Sequence, residues 1–353
     1  MQRAIAIAFA ILILPNLAGA AEGDRAKPSS VDPSRFGDAI EPKDAIGKPP
    51  VTILKSRPIT PKADQPGQET INPNRFGTKE PDEAYGAYQR GLYKTAYNLA
   101  LPRAENGDGP AQALVAEIVS RGLGVPADLP AAAKWFEKAA ENNIPEAQFQ
   151  YSLMLLDGKY VPKDATKAQR MLEASAKAGN PLAQFNLAQL LVQNDHSPEG
   201  LKKAVPYYRS AAEAGLADAQ YAMSQLHANG AGGVAKDEKQ ARQYLSLAAR
   251  QGYDTAEIDL GTWMVEGRGG ERDAAAGFRW LKKAADGGNV AAMNRVAKLY
   301  MQGIGTEPNT IDAAAWYFLA RRAGLTDYEM NDFLAGLTDE ELKKALERAN
   351  RLR

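Results

Sequence analysis

The fold of this chain is decided by residues 110–140, which read PAQALVAEIVSRGLGVPADLPAAAKWFEKAA. Ala111, Val115 and Val119 recur at intervals of four residues, and this spacing places them on one stripe of a helix. A glycine-rich turn, Gly122-Leu123-Gly124, ends this pattern, and a second helical segment containing Trp135 follows. The stretch therefore predicts two helices that pack against each other across a short turn.

The same pattern returns along the chain with a nearly constant period. One residue that favours helix termination marks each unit, and the steps between successive markers are 36, 36, 36, 37, 36 and 36 residues. The markers are Gly107, Asn143, Gly179, Gly215, Gly252, Gly288 and Gly324. Gly and Asn tolerate the left-handed backbone conformation that ends many helices. Because one helix pair cannot bury its apolar face alone, we predict an all-α fold, an α-solenoid of antiparallel helix pairs.

These residues resemble the Sel-one-like repeat (SLR), a relative of the tetratricopeptide repeat. The resemblance is carried by Pro110-Ala111-Gln112, by Gly122-Leu123-Gly124-Val125-Pro126-Ala127-Asp128 and by Trp135-Phe136-Glu137-Lys138-Ala139-Ala140. It implies a right-handed superhelix and about six units over residues 108–324. We expect an N-terminal half-repeat at 82–107 and capping helices at 325–353, where Thr326-Asp327-Tyr328-Glu329 and Thr338-Asp339-Glu340-Glu341 are capping-box patterns.

The N-terminal region is predicted to be processed and unfolded. Residues 1–20 combine a basic start, an apolar run and a small-residue cleavage site, which is typical of a secretory signal peptide; an uncleaved anchor is the alternative. Residues 21–81 are rich in proline and poor in aromatic residues, so we expect a disordered linker. The chain is therefore expected in the bacterial periplasm or outside the cell.

That linker contains one duplicated motif. Asp32-Pro33-Ser34-Arg35-Phe36-Gly37 returns as Asn72-Pro73-Asn74-Arg75-Phe76-Gly77. Arg35 and Phe36, with Arg75 and Phe76, would supply a charge and an anchor for docking to a partner or to the chain's own groove. Two linked copies would raise avidity. The alternative is a chance repeat in a biased segment.

Composition excludes most classes of enzyme. The chain has 43 Lys+Arg, 43 Asp+Glu, no Cys and two His, so nucleic-acid binding, thiol chemistry and an ordinary zinc site are disfavoured. Four aspartates recur before the second helix of a unit and are interpreted as N-caps: Asp128, Asp164, Asp237 and Asp273. His196 is expected in an exposed turn and His227 on a packed stripe. We predict no catalytic residue, metal or cofactor.

The predicted function is therefore binding. By analogy with tetratricopeptide arrays, the first helix of each unit would line the concave surface. There Phe149, Phe185 and Tyr221, beside Gln189 and Gln225, would hold an extended peptide. The alternative is that these side chains pack between units.

Three functional hypotheses follow. The resemblance implies a non-catalytic adaptor in the cell envelope that binds a protein or peptide partner, because bacterial members of the family often act in this way. A regulatory subunit of a membrane sensor or cell-wall enzyme is the first alternative. A hydrolase of cell-wall or β-lactam-like substrates is the second, and it is poorly supported because the family branch associated with penicillin binding is rich in cysteine.

Overall fold

A computed structural model of the chain describes residues 82–352, and these form sixteen helices and no strand. The helices are α1 Glu83–Gln89, α2 Tyr93–Glu105, α3 Gly109–Arg121, α4 Leu129–Glu141, α5 Pro145–Asp157, α6 Ala165–Lys177, α7 Pro181–Asn194, α8 Pro198–Glu213, α9 Ala217–Asn229, α10 Glu238–Arg250, α11 Asp254–Glu266, α12 Ala274–Asp286, α13 Val290–Gln302, α14 Thr310–Arg322, α15 Tyr328–Ala335 and α16 Asp339–Arg351. The predicted signal peptide and proline-rich linker lie outside the described residues.

The helices pack in consecutive pairs. Each repeat contains a first helix (α3, α5, α7, α9, α11 and α13) and a second helix (α4, α6, α8, α10, α12 and α14), and the second helix packs against the first helix of the next repeat. The helices α1 and α2 precede the first repeat, and α16 packs against α14 after the last one. The predicted α-solenoid is confirmed.

The apolar stripe of the first helices forms the core between the pairs. The second position of the stripe is at most 3% exposed in all six repeats, where it is Val115, Tyr151, Leu187, Met223, Leu260 or Val296. The residue after it is small and allows a neighbouring helix to approach closely. At Gly261, for example, an added Cβ would lie 2.7 Å from Leu281 Cγ and 2.9 Å from the Gly277 carbonyl oxygen. This packing, rather than intrinsic helix propensity, supplies most of the stability of such pairs.

The predicted helix ends are present, with one exception. All seven markers have positive φ, including Asn143 at 59°. Asp128, Asp164, Asp237 and Asp273 cap the second helices, each accepting a hydrogen bond from a main-chain N–H at 2.8–3.0 Å. Thr338 and Glu341 form the expected capping box. The capping box predicted at 326–329 is wrong, because the N-cap of α15 is Asp327, which accepts from Met330 N, whereas Glu329 pairs with Lys298.

The third repeat departs from the others at its turn. Its first helix extends to Asn194, and Asp195 follows in an extended conformation instead of a left-handed glycine. Ser197 then caps α8, accepting from Gly200 N at 3.3 Å. Both helices of this repeat are therefore present although the glycine-rich turn is missing.

The tryptophans and tyrosines of the second helices are not uniformly buried. Trp316 is 1% exposed and Tyr208 is 8% exposed, as a core role requires. Trp135 and Trp280 are only partly buried, and the ammonium groups of Lys138 and Lys283 lie 4.5 and 5.1 Å from their ring centroids. Some of these rings therefore belong to the core, and others reach the surface.

Candidate functional site

A buried glutamine on the first helix joins successive repeats. Its Nε2 donates to the main-chain carbonyl of an alanine eight residues earlier, at 3.1–3.3 Å, and this contact is made by Gln112, Gln148, Gln184 and Gln220. In the fifth repeat the position is Glu257, whose carboxylate accepts from Lys283 Nζ at 2.6 Å. The glutamines, of which Gln184 is only partly buried, connect each repeat to the helix before it, whereas Glu257 pairs within its own repeat.

Two of the predicted binding residues lie in the core. Phe149 is 3% exposed and packs with Leu172 and Leu187, and Phe185 is 5% exposed with its ring centroid 5.7 Å from that of Tyr208. A side chain with so little exposed surface cannot contact a peptide without a rearrangement of the core. For these two residues the packing alternative describes the structure, and they do not belong to the surface that the first helices present.

The other three predicted residues lie at the surface. Tyr221 and Gln225 on α9 are partly exposed, and both reach the next first helix: Tyr221 OH donates to Asp259 Oδ2 at 3.0 Å, and Gln225 Nε2 donates to the same oxygen at 3.5 Å. Gln189 on α7 is also partly exposed and is not part of this network. We use the name first-helix face for the exposed and partly exposed side chains of α5, α7, α9 and α11, which include these residues.

Three further residues of this face were not identified from the sequence. The Tyr253 ring lies against that of Tyr221, with 5.1 Å between centroids and 30° between planes, and Asp218 and Asp259 lie on α9 and α11 beside the pair. Burial raises the pKa of both carboxyl groups and raises the pKa of Tyr253 to about 12. Neither carboxylate forms an ion pair with a cation anywhere in residues 82–352. A count of charges on each helix would have identified these acids, but their place beside the tyrosines depends on how α10 positions α11 relative to α9.

The described residues bring no catalytic grouping together. His196 is exposed, and the ring of His227 stacks on Tyr244 with a centroid distance of 5.7 Å. Within 82–352 no three His, Cys, Asp or Glu side chains are placed to hold a metal ion. Two open clefts, of about 360 and 370 Å³, contain Trp316 and Trp280 respectively. Ser246 and Lys239 both line the second cleft, but no hydrogen bond joins them within residues 82–352.

The remaining predicted docking residues lie outside the described part of the chain. These are Arg35, Phe36, Arg75 and Phe76 of the duplicated motif. Among the helices that the structure describes, none has the length and apolar character needed to span a bilayer.

Comparison with known proteins connects this architecture to a family. Residues 109–144, 145–180, 181–216, 217–253, 255–289 and 290–325 match the family model of the Sel1 repeat. The crystal structure of a Sel1 repeat protein from Oxalobacter formigenes is similar, with 30% identity and a TM-score of 0.58 over 68% of this chain and 98% of that one. The protective antigen c5321 of uropathogenic Escherichia coli, which displays an SLR fold, has 27% identity and a TM-score of 0.53 over 74% of this chain and 64% of its own. No curated protein matches the sequence.

Proposed function

Because the chain belongs to the Sel1 repeat family, we propose that it is a non-catalytic scaffold of the bacterial cell envelope that binds a protein or peptide partner through the first-helix face. Sel1 repeats generally mediate protein interactions. The N-terminal sequence supports the location in the envelope, and the first-helix face supports the binding role.

The observation that carries the proposal is the continuity of the first-helix face. Its side chains interact from one repeat to the next, since Tyr221 on α9 bonds to Asp259 on α11, and Arg295 on α13 donates to Thr262 on α11. A rigid surface that extends over several repeats suits an extended ligand, because little conformational entropy is lost on the protein side when binding occurs.

Site-specific photocrosslinking in intact cells tests the proposal. A photoreactive amino acid is placed at Gln189 or Gln225 on the first-helix face, and at Arg170, an exposed residue of the second helix α6, as the matched control. We expect discrete protein adducts from the first two positions and none from the third. Adducts formed at Arg170 alone, or at no position, would contradict the proposal.

N-terminal sequencing of the protein from the periplasmic fraction should show cleavage between Ala20 and Ala21.

A further inference from the structure

In repeats two, four and five the two helices carry net charges of opposite sign. The first helices of repeats two to five, α5, α7, α9 and α11, contain no Lys or Arg, whereas their second helices, α6, α8, α10 and α12, contain twelve Lys+Arg and five Asp+Glu. Six acidic residues of these first helices are exposed or partly exposed: Glu146, Asp157, Asp218, Asp254, Asp259 and Glu266. The seventh, Glu257, is buried and paired with Lys283. The first-helix face is therefore acidic although the whole chain has a formal net charge of zero.

Tyr221 and Tyr253 form an aromatic pair beside Asp218 and Asp259 on this face. Six other aromatic rings of the described chain have one of its own Lys or Arg side chains over them, at 3.9–5.1 Å, and these two tyrosines have none. The cations that influence Asp259 are Arg295 and Arg268. Arg295 is exposed on α13, and Arg268 is paired with Glu238 and lies over Trp263. Two half-buried carboxylates and two rings tilted against each other are thus left without a cation in direct contact.

We propose that the first-helix face of α5–α11 binds an extended basic segment of a partner protein, and that the Tyr221–Tyr253 pair with Asp218 and Asp259 receives one of its Lys or Arg side chains. The inference rests on the scaffold role proposed above and specifies the chemistry of the partner. Carboxylates attract the cation, and the π faces of tyrosine stabilise it further. The amides of Gln189 and Gln225 can bond to the peptide main chain. Burial raises the pKa of both carboxyl groups because it makes their charged forms less favourable. A bound cation would offset this unfavourable free energy.

Fluorescence anisotropy with synthetic peptides tests this inference on the full-length chain. The probes are labelled Gly/Ser peptides of one length in which every fourth residue is Arg, Gln or Glu. We expect the Arg peptide to bind at least about tenfold more tightly than the Gln peptide, a difference of about 1.4 kcal/mol. The Glu peptide should not bind, and raising the salt concentration should weaken binding of the Arg peptide. Equal affinity for the Arg and Gln peptides would overturn the inference.

Three variants localise the binding. Asp218→Asn/Asp259→Asn removes two charges but retains an oxygen acceptor for Tyr221 OH, and it should weaken binding of the Arg peptide about tenfold. Glu141→Gln/Glu213→Gln removes two exposed charges from second helices and should leave the affinity within about twofold. Tyr253→Leu should cost about two- to fivefold. Circular dichroism and thermal unfolding show that each variant is folded. An unchanged affinity in the first variant, or an equal loss in the second, would refute the assignment to this face.

Two outcomes separate this inference from its alternatives. If Gln189 gives a protein adduct in cells but the Arg peptide shows no preference, the scaffold role stands and the basic partner is rejected; if both fail, both proposals are rejected.

The chain's own linker is a competing occupant. Arg35→Gln/Arg75→Gln should not change the affinity for the added Arg peptide, and a gain in affinity would assign the face to the linker and overturn the assignment to a separate partner.

Discussion

Gln184 in the third repeat has a buried hydrogen-bond acceptor without a partner within residues 82–352. Two other repeats show which side chain can supply the missing donor. Its Oε1 has no hydrogen-bond partner, although its Nε2 donates to Ala176 O at 3.2 Å. In the first repeat, Asn142 Nδ2 donates to Gln112 Oε1 at 2.8 Å, and in the fourth repeat Gln251 Nε2 donates to Gln220 Oε1 at 2.8 Å. Ala214, an exposed residue just after α8, occupies the equivalent place in the third repeat. We therefore predict that Ala214→Asn stabilises the protein.

The magnitude follows from three opposing effects. An unpaired buried acceptor costs about 1–3 kcal/mol, which the new amide donor would relieve. Ordering the Asn side chain and its lower helix propensity together cost about 1 kcal/mol. The net gain should be about 1 kcal/mol, which corresponds to a rise of about 2–4 °C in Tm for an array of this size.

The assay is urea and thermal unfolding of the purified chain followed by circular dichroism. Ala178→Asn is the matched control, because Ala178 is exposed at the same place in the second repeat and no oxygen of Gln148 is among the buried unpartnered atoms of residues 82–352. This control should be neutral or slightly destabilising. The reasoning fails if both variants change stability equally, or if the gain from Ala214→Asn persists when Gln184 is replaced by Met.

Five further substitutions test the packing and electrostatics of the array. Gly305 has φ of 73° and a Cβ there would lie 2.1 Å from the Ala274 carbonyl oxygen, so Gly305→Ala should cost about 2–4 kcal/mol; Gly288→Ala, where φ is 92° but nothing lies within 4 Å, should cost only about 1 kcal/mol. Unfolding in urea compares the two, and equal losses would contradict the steric argument. Trp316→Ala should cost about 3–5 kcal/mol, and Trp280→Ala clearly less because its ring is partly exposed; a reversed order in thermal unfolding would show that burial is not the deciding factor. The hydrogen bonds from Lys167 and Tyr151 lower the pKa of Glu137. The stabilisation by this carboxylate is therefore present above its unfolded-state pKa and is lost as the pH falls through its lower folded-state pKa. Glu137→Gln should cost about 0.5–1 kcal/mol near neutral pH, given solvent screening, and nothing in strong acid; a loss that does not depend on pH would exclude the ionic explanation.

The distribution of aromatic residues shows where prediction from sequence reached its limit. Phe149, Phe185 and Tyr221 occupy the same register position of their helices and were expected to share one surface. Phe149 and Phe185 are buried, whereas Tyr221 is partly exposed because its hydroxyl bonds to Asp259 on the next first helix. The register within a helix is the same in all three repeats, so the difference arises from contacts with other helices.

The sequence by itself determined the period, the helix pairs and most helix ends, because these depend on interactions within a few residues: apolar spacing along one helix, Asp caps such as Asp128, and left-handed markers such as Asn143. At the C-terminal cap, interactions within a few residues were not sufficient for the prediction. Glu329 pairs with the distant Lys298, and Asp327 caps α15 instead. Only the tertiary structure decided which side chains reach the surface and which charges remain unpaired. Burial and pairing are set by side chains of other helices, such as Asp259, which lies 38 residues after Tyr221, and a pattern read along a single helix does not contain those neighbours.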